Sequence, residues 1–161
     1  MTLLELENNT LNGREIGILR DIDMKGEVLD HEYGYLIMKN VSNLVFSDQN
    51  MGIGGSLLLI NCHGIKISDS LLNQSVIGLR DSTSVTINNC ILESHEMGSV
   101  LGGDCDDIII RNSLVKGGNI RFEYCSNVSF QENVFTEGKW GLGSIELSHV
   151  EDLSIVGFSL L

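Results

Sequence analysis

Proline is missing altogether from the 161 residues, although average usage of about 5% would supply roughly eight. Because proline cannot donate a hydrogen bond to a sheet ladder, its absence is typical of a chain rich in central strands. No apolar run reaches the length of a membrane-spanning helix, and the opening MTLLELENNT has no basic segment before an apolar one. These absences argue against a membrane span and a signal peptide, and they predict a cytoplasmic location.

Basic residues are also scarce, since 10 Lys and Arg face 22 Asp and Glu and leave a formal charge of −12. Binding to nucleic acid depends on neutralising phosphates with Lys and Arg, so direct nucleic-acid binding and binding to an anionic membrane are not expected. The same charge favours a basic protein partner. With 42% hydrophobic residues, the composition also excludes a disordered polyelectrolyte.

A repeat of 20 to 25 residues organises the chain: a small residue, two polar residues or glycine, then an apolar-x-apolar pair. The small residue stands at Val41, Cys62, Ser82, Cys105, Cys125 and Val150. Further apolar positions precede it and follow the pair, so each repeat holds three short apolar segments that cannot bury themselves alone. We therefore predict an all-β, single-domain parallel β-helix over residues 15–161, with three short strands per coil and about seven coils. Residues 1–14 would form an N-terminal cap or an irregular first coil.

Three segments carry a family resemblance: SLLNQSVIGLRDSTSVTINNCIL, DDIIIRNSLVKGGNIRFEYCSNVSFQENVF and SIELSHVEDLSIVGFSL. They resemble the right-handed parallel β-helix of the pectate-lyase-like superfamily, especially repeats of copper-accessory proteins and of carbohydrate-binding and sugar-hydrolase modules. That superfamily includes lyases, hydrolases, epimerases, tailspikes and non-catalytic scaffolds. A lyase-like member would hold Ca²⁺ with carboxylates and use an Arg or Lys as base. The resemblance assigns such catalytic roles to Arg80, Asp104, Arg121 and Glu123.

The four cysteines form no CxxC pair, and Cys62, Cys105 and Cys125 share the small-residue position. Cys105 and Cys125 should be neighbours on consecutive coils, within the Cα distance that a disulfide permits. Because the same position accepts valine and serine, we predict reduced thiols that pack in the core and no metal site.

Polar residues recur at the corners of the repeat, where Asn, Asp, Ser and Gly tolerate turn conformations. Asp104, Asp106 and Asp107 concentrate more charge than a turn needs, so they are candidate binding residues for a basic partner. Ile37, Leu58 and Ile60 point outward and predict an apolar patch, covered either by residues 1–14 or by a partner subunit. Arg121 and Glu146 are expected to form a surface ion pair between adjacent coils.

Loop insertions at one corner supply the remaining candidates. Tyr33 and Trp140 could stack on sugar rings, whereas His31 and His95 could move protons. Loop residues without a role are the competing interpretation.

These observations favour a non-enzymatic interaction or assembly protein that presents an acidic rod to a basic protein, as a nucleic-acid mimic or inhibitor would. Self-association would use the outward apolar patch or the solenoid end at SIVGFSLL. The alternative is a carbohydrate-active protein that binds a polysaccharide in a groove, with lyase-like or epimerase-like activity left open. No cofactor is expected for the first function, and Ca²⁺ is expected for the second.

Overall fold

A computed structural model describes residues 3–11, 13–29, 31–93, 99–138 and 141–161. All regular elements in these ranges are β-strands. They are β1 Leu3–Leu11, β2 Arg14–Asp23, β3 Val28–Leu29, β4 Tyr33–Ser42, β5 Val45–Ser47, β6 Asn50–Met51, β7 Ser56–Ile60, β8 His63–Ser68, β9 Leu71–Asn73, β10 Val76–Arg80, β11 Thr83–Asn88, β12 Ile91–Glu93, β13 Val100–Gly103, β14 Asp106–Arg111, β15 Leu114–Lys116, β16 Asn119–Glu123, β17 Ser126–Gln131, β18 Val134–Gly138, β19 Gly141–Leu142, β20 Ser144–Ser148, β21 Ser154–Val156 and β22 Ser159–Leu160. Within the described ranges, no helix is long and apolar enough to cross a membrane.

The strands wind into a parallel β-solenoid of about six turns, close to the predicted seven. The first face has the order β4, β7, β10, β13, β16, β20, and the second has β8, β11, β14, β17, β21. A third sheet contains β6, β9, β12, β15 and β18, and β22 pairs with β18. From β4 onward every strand except β19, which pairs antiparallel with β18, pairs in parallel with its counterpart one turn away, as in Ile65↔Val85 and Val85↔Ile108. The predicted all-β fold and its three strands per turn are confirmed.

The N-terminal strand differs from this pattern. β1 pairs antiparallel with β2, for example Leu4 with Ile18, so it lies outside the parallel stack. β2 then pairs in parallel with β4. The outer edge of β2, the strand that precedes β4 on the first face, is therefore already paired with β1.

Inward side chains of successive turns stack in register and fill the core. On the first face, Leu57, Ile77, Val100 and Ile120 have no exposed surface. The neighbouring inward row is less uniform because it contains Gly102, and a Cβ there would overlap Cδ1 and Cε1 of the Phe122 ring. The missing side chain thus makes room for a buried aromatic ring on the next turn.

The corners of the solenoid are built from residues in the left-handed region. One row has positive φ at Asn43, Gly64, Ser84, Asp107, Asn127 and Asp152; a second has it at Asp48, Asp69, Asn89, Asn112 and Glu132; a third at Asn40, Asn61, Asp81, Asp104, Tyr124 and His149. Asn and Asp adopt this conformation more readily than other residues with side chains. The prediction that the polar rows are turn residues is confirmed.

Candidate functional site

The outer surface of the first face carries a concavity. A groove of about 630 Å³ runs across β7, β10, β13, β16 and β20. Two of its outward residues on consecutive turns are glycines, Gly78 and Gly103, which lie opposite Leu101 and Arg80 respectively. A Cβ at Gly103 would meet no atom within 4 Å. The groove is deepened because each of these two turns lacks one outward side chain.

The groove brings together the four residues to which the resemblance assigned catalytic roles. Arg80, Asp104, Arg121 and Glu123 all line it, and so does Leu58 of the predicted apolar patch. One end of the groove is therefore apolar, and the other carries both signs of charge. The sequence placed these residues on one strip because they fall on the same face in successive repeats.

The ion pair of Arg121 differs from the prediction. Arg121 and Glu146 are in register on adjacent strands, yet the Arg121 guanidinium pairs with Glu123 on its own strand at 2.5 Å. The Glu146 carboxylate instead accepts a hydrogen bond of 3.0 Å from the Asn119 amide. Glu123 points to the same side as Arg121, two residues along the strand, which makes it a competing partner.

This pairing affects what the groove can do chemically. The hydrogen bond to Glu123 raises the pKa of Arg121 above its ordinary value. A guanidinium held protonated is a hydrogen-bond donor and an electrostatic partner for an anion, and it is a poor proton acceptor. The geometry is therefore better suited to binding than to removing a proton.

The described residues are a poor fit for the Ca²⁺ ion that the resemblance implies. A Ca²⁺ ion takes six to eight oxygen ligands, usually from several carboxylates. Among the described residues, no three His, Cys, Asp or Glu side chains are grouped so that they could hold a metal ion. In the groove, Glu123 is engaged with Arg121 and Glu146 with Asn119.

Asp104, Asp106 and Asp107 form an acidic corner. Each of them has a structural role in the turn, through its carboxylate or through its backbone conformation. Asp104 and Asp107 adopt φ of 54°. The Asp107 carboxylate accepts a hydrogen bond of 2.9 Å from the Ser84 hydroxyl. Asp106 accepts from the Ser126 hydroxyl at 2.6 Å and from the Asn127 amide at 2.8 Å, and these bonds lower the pKa of Asp106. The carboxylates therefore lie in a row of turns, with Asp104 and Asp107 exposed.

Tyr33 is not the exposed sugar platform that the sequence predicted. It is only 2% exposed because its ring occupies the space left by Gly17, where a Cβ would overlap the ring. The exposed His31 ring lies against it, with centroids 4.7 Å apart, and its Nε2 is 2.9 Å from the Glu15 carboxylate. Trp140 and His95 fall outside the described residues.

An exposed aromatic that the sequence analysis missed lies at the corner beside the groove. Tyr124 is 62% exposed and has a positive φ of 54°, which is uncommon for a bulky residue. Its ring stacks on His149 of the next turn, with centroids 4.7 Å apart and 14° between the planes. The signal was in the repeat, since Tyr124 takes the position that Asp81 and Asp104 occupy on earlier turns.

The outward apolar patch is only partly accessible. Ile37, Leu58 and Ile60 are all half-buried, and Ile37 pairs in register with Leu58. Ile18 on β2 extends this outward row by one turn. The patch therefore continues from the first turns into the apolar end of the groove.

The prediction of buried, free cysteines is confirmed for Cys62, Cys90, Cys105 and Cys125. In the small-residue row, Cys62 has Val41 and Ser82 as its neighbours on adjacent turns. Cys105 and Cys125 directly follow each other in that row, on consecutive turns whose strands pair in register on both sides of them.

The last turn exposes side chains that earlier turns bury. In one inward row, Ile67, Ile87 and Ile110 have no exposed surface, whereas Ile155 is 47% exposed. In the third sheet, Phe135 is buried but Leu160 is 57% exposed. Within the described residues, β20, β21 and β22 each pair with a strand on one side only. This end of the solenoid is an apolar surface bordered by open strand edges.

The fold and these surfaces define a parallel β-solenoid. No protein-family model matches the chain, and no curated protein matches its sequence.

Proposed function

We propose that the protein is a non-enzymatic interaction and assembly protein. The observation that carries this proposal is the apolar surface of the last turn in these 161 residues, where β20, β21 and β22 each pair on one side only and the inward Ile155 is 47% exposed. Open parallel edges over an apolar surface are covered by another element in soluble solenoids. We take the cover to be a second copy of this chain.

The two ends of the solenoid favour a particular arrangement of the copies. On the first face β1 pairs antiparallel with the edge of β2, so the last turn of one copy cannot continue the parallel ladder on the β2 strand of another. Contact between the last turns of two copies meets no such obstacle. It uses the same surface twice, which gives a closed twofold dimer instead of a filament.

A charge substitution at the end surface tests this assembly. Ile155→Glu places a carboxylate in the proposed interface, and we expect it to shift sedimentation from dimer to monomer. Ile91→Glu is the matched control, because Ile91 is a 41% exposed isoleucine on the side of the solenoid. A wild-type chain that stays monomeric at high concentration would refute the assembly, and so would equal dimerisation of the wild type and Ile155→Glu.

The acidic surface supports a second contact, with a basic protein. The formal charge of −12 and the exposed carboxylates of Asp104 and Asp107 would attract a cationic surface and speed association at low salt. This function needs no cofactor and fits a cytoplasmic protein that binds neither nucleic acid nor membrane. If the partner is a nucleic-acid-binding protein, DNA should compete with this chain for binding to it.

Neutralising the corner without disturbing it tests the basic-partner proposal. Asp104→Asn with Asp107→Asn keeps residues that tolerate the left-handed conformation, and the chain itself has Asn61 and Asn127 at equivalent positions. We expect weaker binding to poly-lysine and a smaller salt dependence than for the wild type. Unchanged binding of the double variant would exclude this corner as the contact.

The carbohydrate-active alternative rests on the groove and on Tyr124. Membership of the pectate-lyase-like superfamily, with its right-handed coil, would place a saccharide along this face, with Arg80 and Arg121 facing its carboxylates and Tyr124 offering an aromatic surface. Affinity electrophoresis in polygalacturonate and alginate, with and without Ca²⁺, tests it. We expect Arg121→Gln and Tyr124→Asn to remove any retardation, and a wild type that migrates freely in both gels would count against the alternative.

A further inference from the structure

Cys105 and Cys125 are the only two of the four described cysteines that occupy the same corner on consecutive turns. The strands that follow them pair in register from Asp106↔Ser126, and those that precede them pair at Gly103↔Glu123. The Ser126 amide donates to the Cys105 carbonyl at 3.0 Å. Adjacent parallel strands lie about 4.8 Å apart, which falls within the Cα separation of disulfides, about 4.4 to 6.8 Å.

The two thiols are also held in place. Each Sγ approaches a backbone carbonyl two residues earlier, Gly103 for Cys105 at 3.1 Å and Glu123 for Cys125 at 3.2 Å. The two thiols thus make the same backbone contact in the same row on consecutive turns. Both sulfur atoms therefore sit side by side on the inner side of one corner.

Their mutual contact separates the two thiols chemically. The neighbouring Cys105 thiol lowers the pKa of Cys125, and the Cys125 thiol together with burial raises the pKa of Cys105. Cys90, which has serines as its row neighbours, has its pKa raised to about 11 by burial. Since the thiolate is the reactive form, the lowered pKa favours Cys125 as the nucleophile of the pair.

We propose that Cys105 and Cys125 are a modification site, a dithiol that a hydroperoxide oxidises to a disulfide between consecutive turns. The Cys125 thiolate attacks one peroxide oxygen and breaks the O–O bond; with hydrogen peroxide this gives a sulfenic acid on Cys125 and, after protonation of the leaving hydroxide, one water. The Cys105 thiol then attacks the Cys125 sulfur, forming the S–S bond, and its proton leaves with the sulfenic hydroxyl as a second water. Two electrons pass from the thiols to the peroxide. A dithiol reductant restores both thiols by thiol–disulfide exchange and is itself oxidised to a disulfide.

Pairing, and not exposure, is what distinguishes this site. Cys105 and Cys125 are each 3% exposed, Cys62 is 2% exposed and Cys90 is 1% exposed. Cys62 and Cys90 therefore serve as internal controls that are similarly buried but lack a neighbouring thiol. The site does not depend on the proposed assembly, because both thiols belong to the same copy of the chain; they lie beneath the last turn, where the Cys125 carbonyl accepts a hydrogen bond of 3.0 Å from the Glu151 amide.

The experiment treats the reduced folded chain with hydrogen peroxide, blocks free thiols with a maleimide after unfolding, and maps the peptides by mass spectrometry. We expect the four free thiols to fall to two, with one intramolecular link between Cys105 and Cys125 that dithiothreitol removes. After oxidation, Cys125→Ser should retain three alkylatable thiols. The double variant Cys62→Ser with Cys90→Ser, which contains only Cys105 and Cys125, should retain none. Serine is suited to the Cys125 position because Ser82 occupies the same row, and circular dichroism checks that the variant is folded.

Three results would overturn the proposal on the wild-type chain alone. They are four alkylatable thiols after oxidation, oxidation of Cys62 or Cys90 at the rate of Cys125, and accumulation of sulfinic acid on Cys125 without the link.

Discussion

Replacing Gly102 by alanine is expected to destabilise the solenoid although alanine usually improves on glycine in a strand. The added Cβ would overlap the Phe122 ring, which has no exposed surface and is surrounded by core residues. Overpacking of this kind costs about 1–3 kcal/mol. We therefore expect Gly102→Ala to lower the free energy of unfolding by that amount.

The adjacent glycine supplies the control. Gly103 points outward, and a Cβ there meets no atom within 4 Å. Neither glycine has a positive φ, so alanine restricts the unfolded chain at both sites and would by itself stabilise each by about 0.4–1 kcal/mol. The two variants should thus change stability in opposite directions.

A double-mutant cycle identifies the ring as the cause. Truncation of a buried Phe to Ala costs about 3–5 kcal/mol. Phe122→Leu should lower the free energy of unfolding by part of that amount. Leu59, Leu79 and Leu147 fill this inward row on other turns, so Gly102→Ala should be tolerated in the Phe122→Leu background, with a coupling of about 0.5–3 kcal/mol. Urea denaturation followed by circular dichroism measures all five proteins. Equal midpoints for Gly102→Ala and Gly103→Ala, or the same cost of Gly102→Ala in the wild-type and Phe122→Leu backgrounds, would refute the reasoning.

Two further predictions concern polar contacts. Asn133→Ala should cost about 1–3 kcal/mol for each buried group left unpaired, because the Asn133 side chain accepts from the Ser113 amide at 3.0 Å and donates to the Ile110 carbonyl at 2.8 Å; urea midpoints no lower than those of Gln131→Ala would contradict this. Asp106 has a folded pKa below its ordinary 3.8, so its contribution is complete above that pH and is lost as the pH falls through the folded pKa. The stability difference between the wild type and Asp106→Asn should therefore be largest near neutral pH and vanish in acid; a difference that grows in acid would contradict it.

The sequence predicted the backbone well because every turn of a solenoid repeats the same local arrangement of strands and corners. Inward positions such as Ile65, Val85 and Ile108 recur in phase with the corners, so the period alone specifies strands, register and burial. The cysteines in the small-residue row were placed for the same reason.

The surface contacts were harder to predict, because a surface side chain can reach several partners and the repeat period does not determine which of them it contacts. Arg121 is in register with Glu146 but pairs with Glu123, which lies on the same side of the same strand. Tyr33 looked like an exposed loop residue because its burial depends on Gly17, one turn earlier in the stack. Tyr124 was overlooked because an aromatic ring is unexpected where the backbone adopts a left-handed turn.

The constant spacing between paired strands also bears on how the chain folds. From β4 onward, parallel partners lie 20 to 25 residues apart whether they belong to an early or a late turn. The loop that must close for each new turn is therefore of nearly constant length, and its entropic cost does not grow as turns are added. Folding can begin at an interior pair such as β11 and β14 and extend in both directions, so the barrier is set by the first two turns to pair and the length of the rod adds little to it.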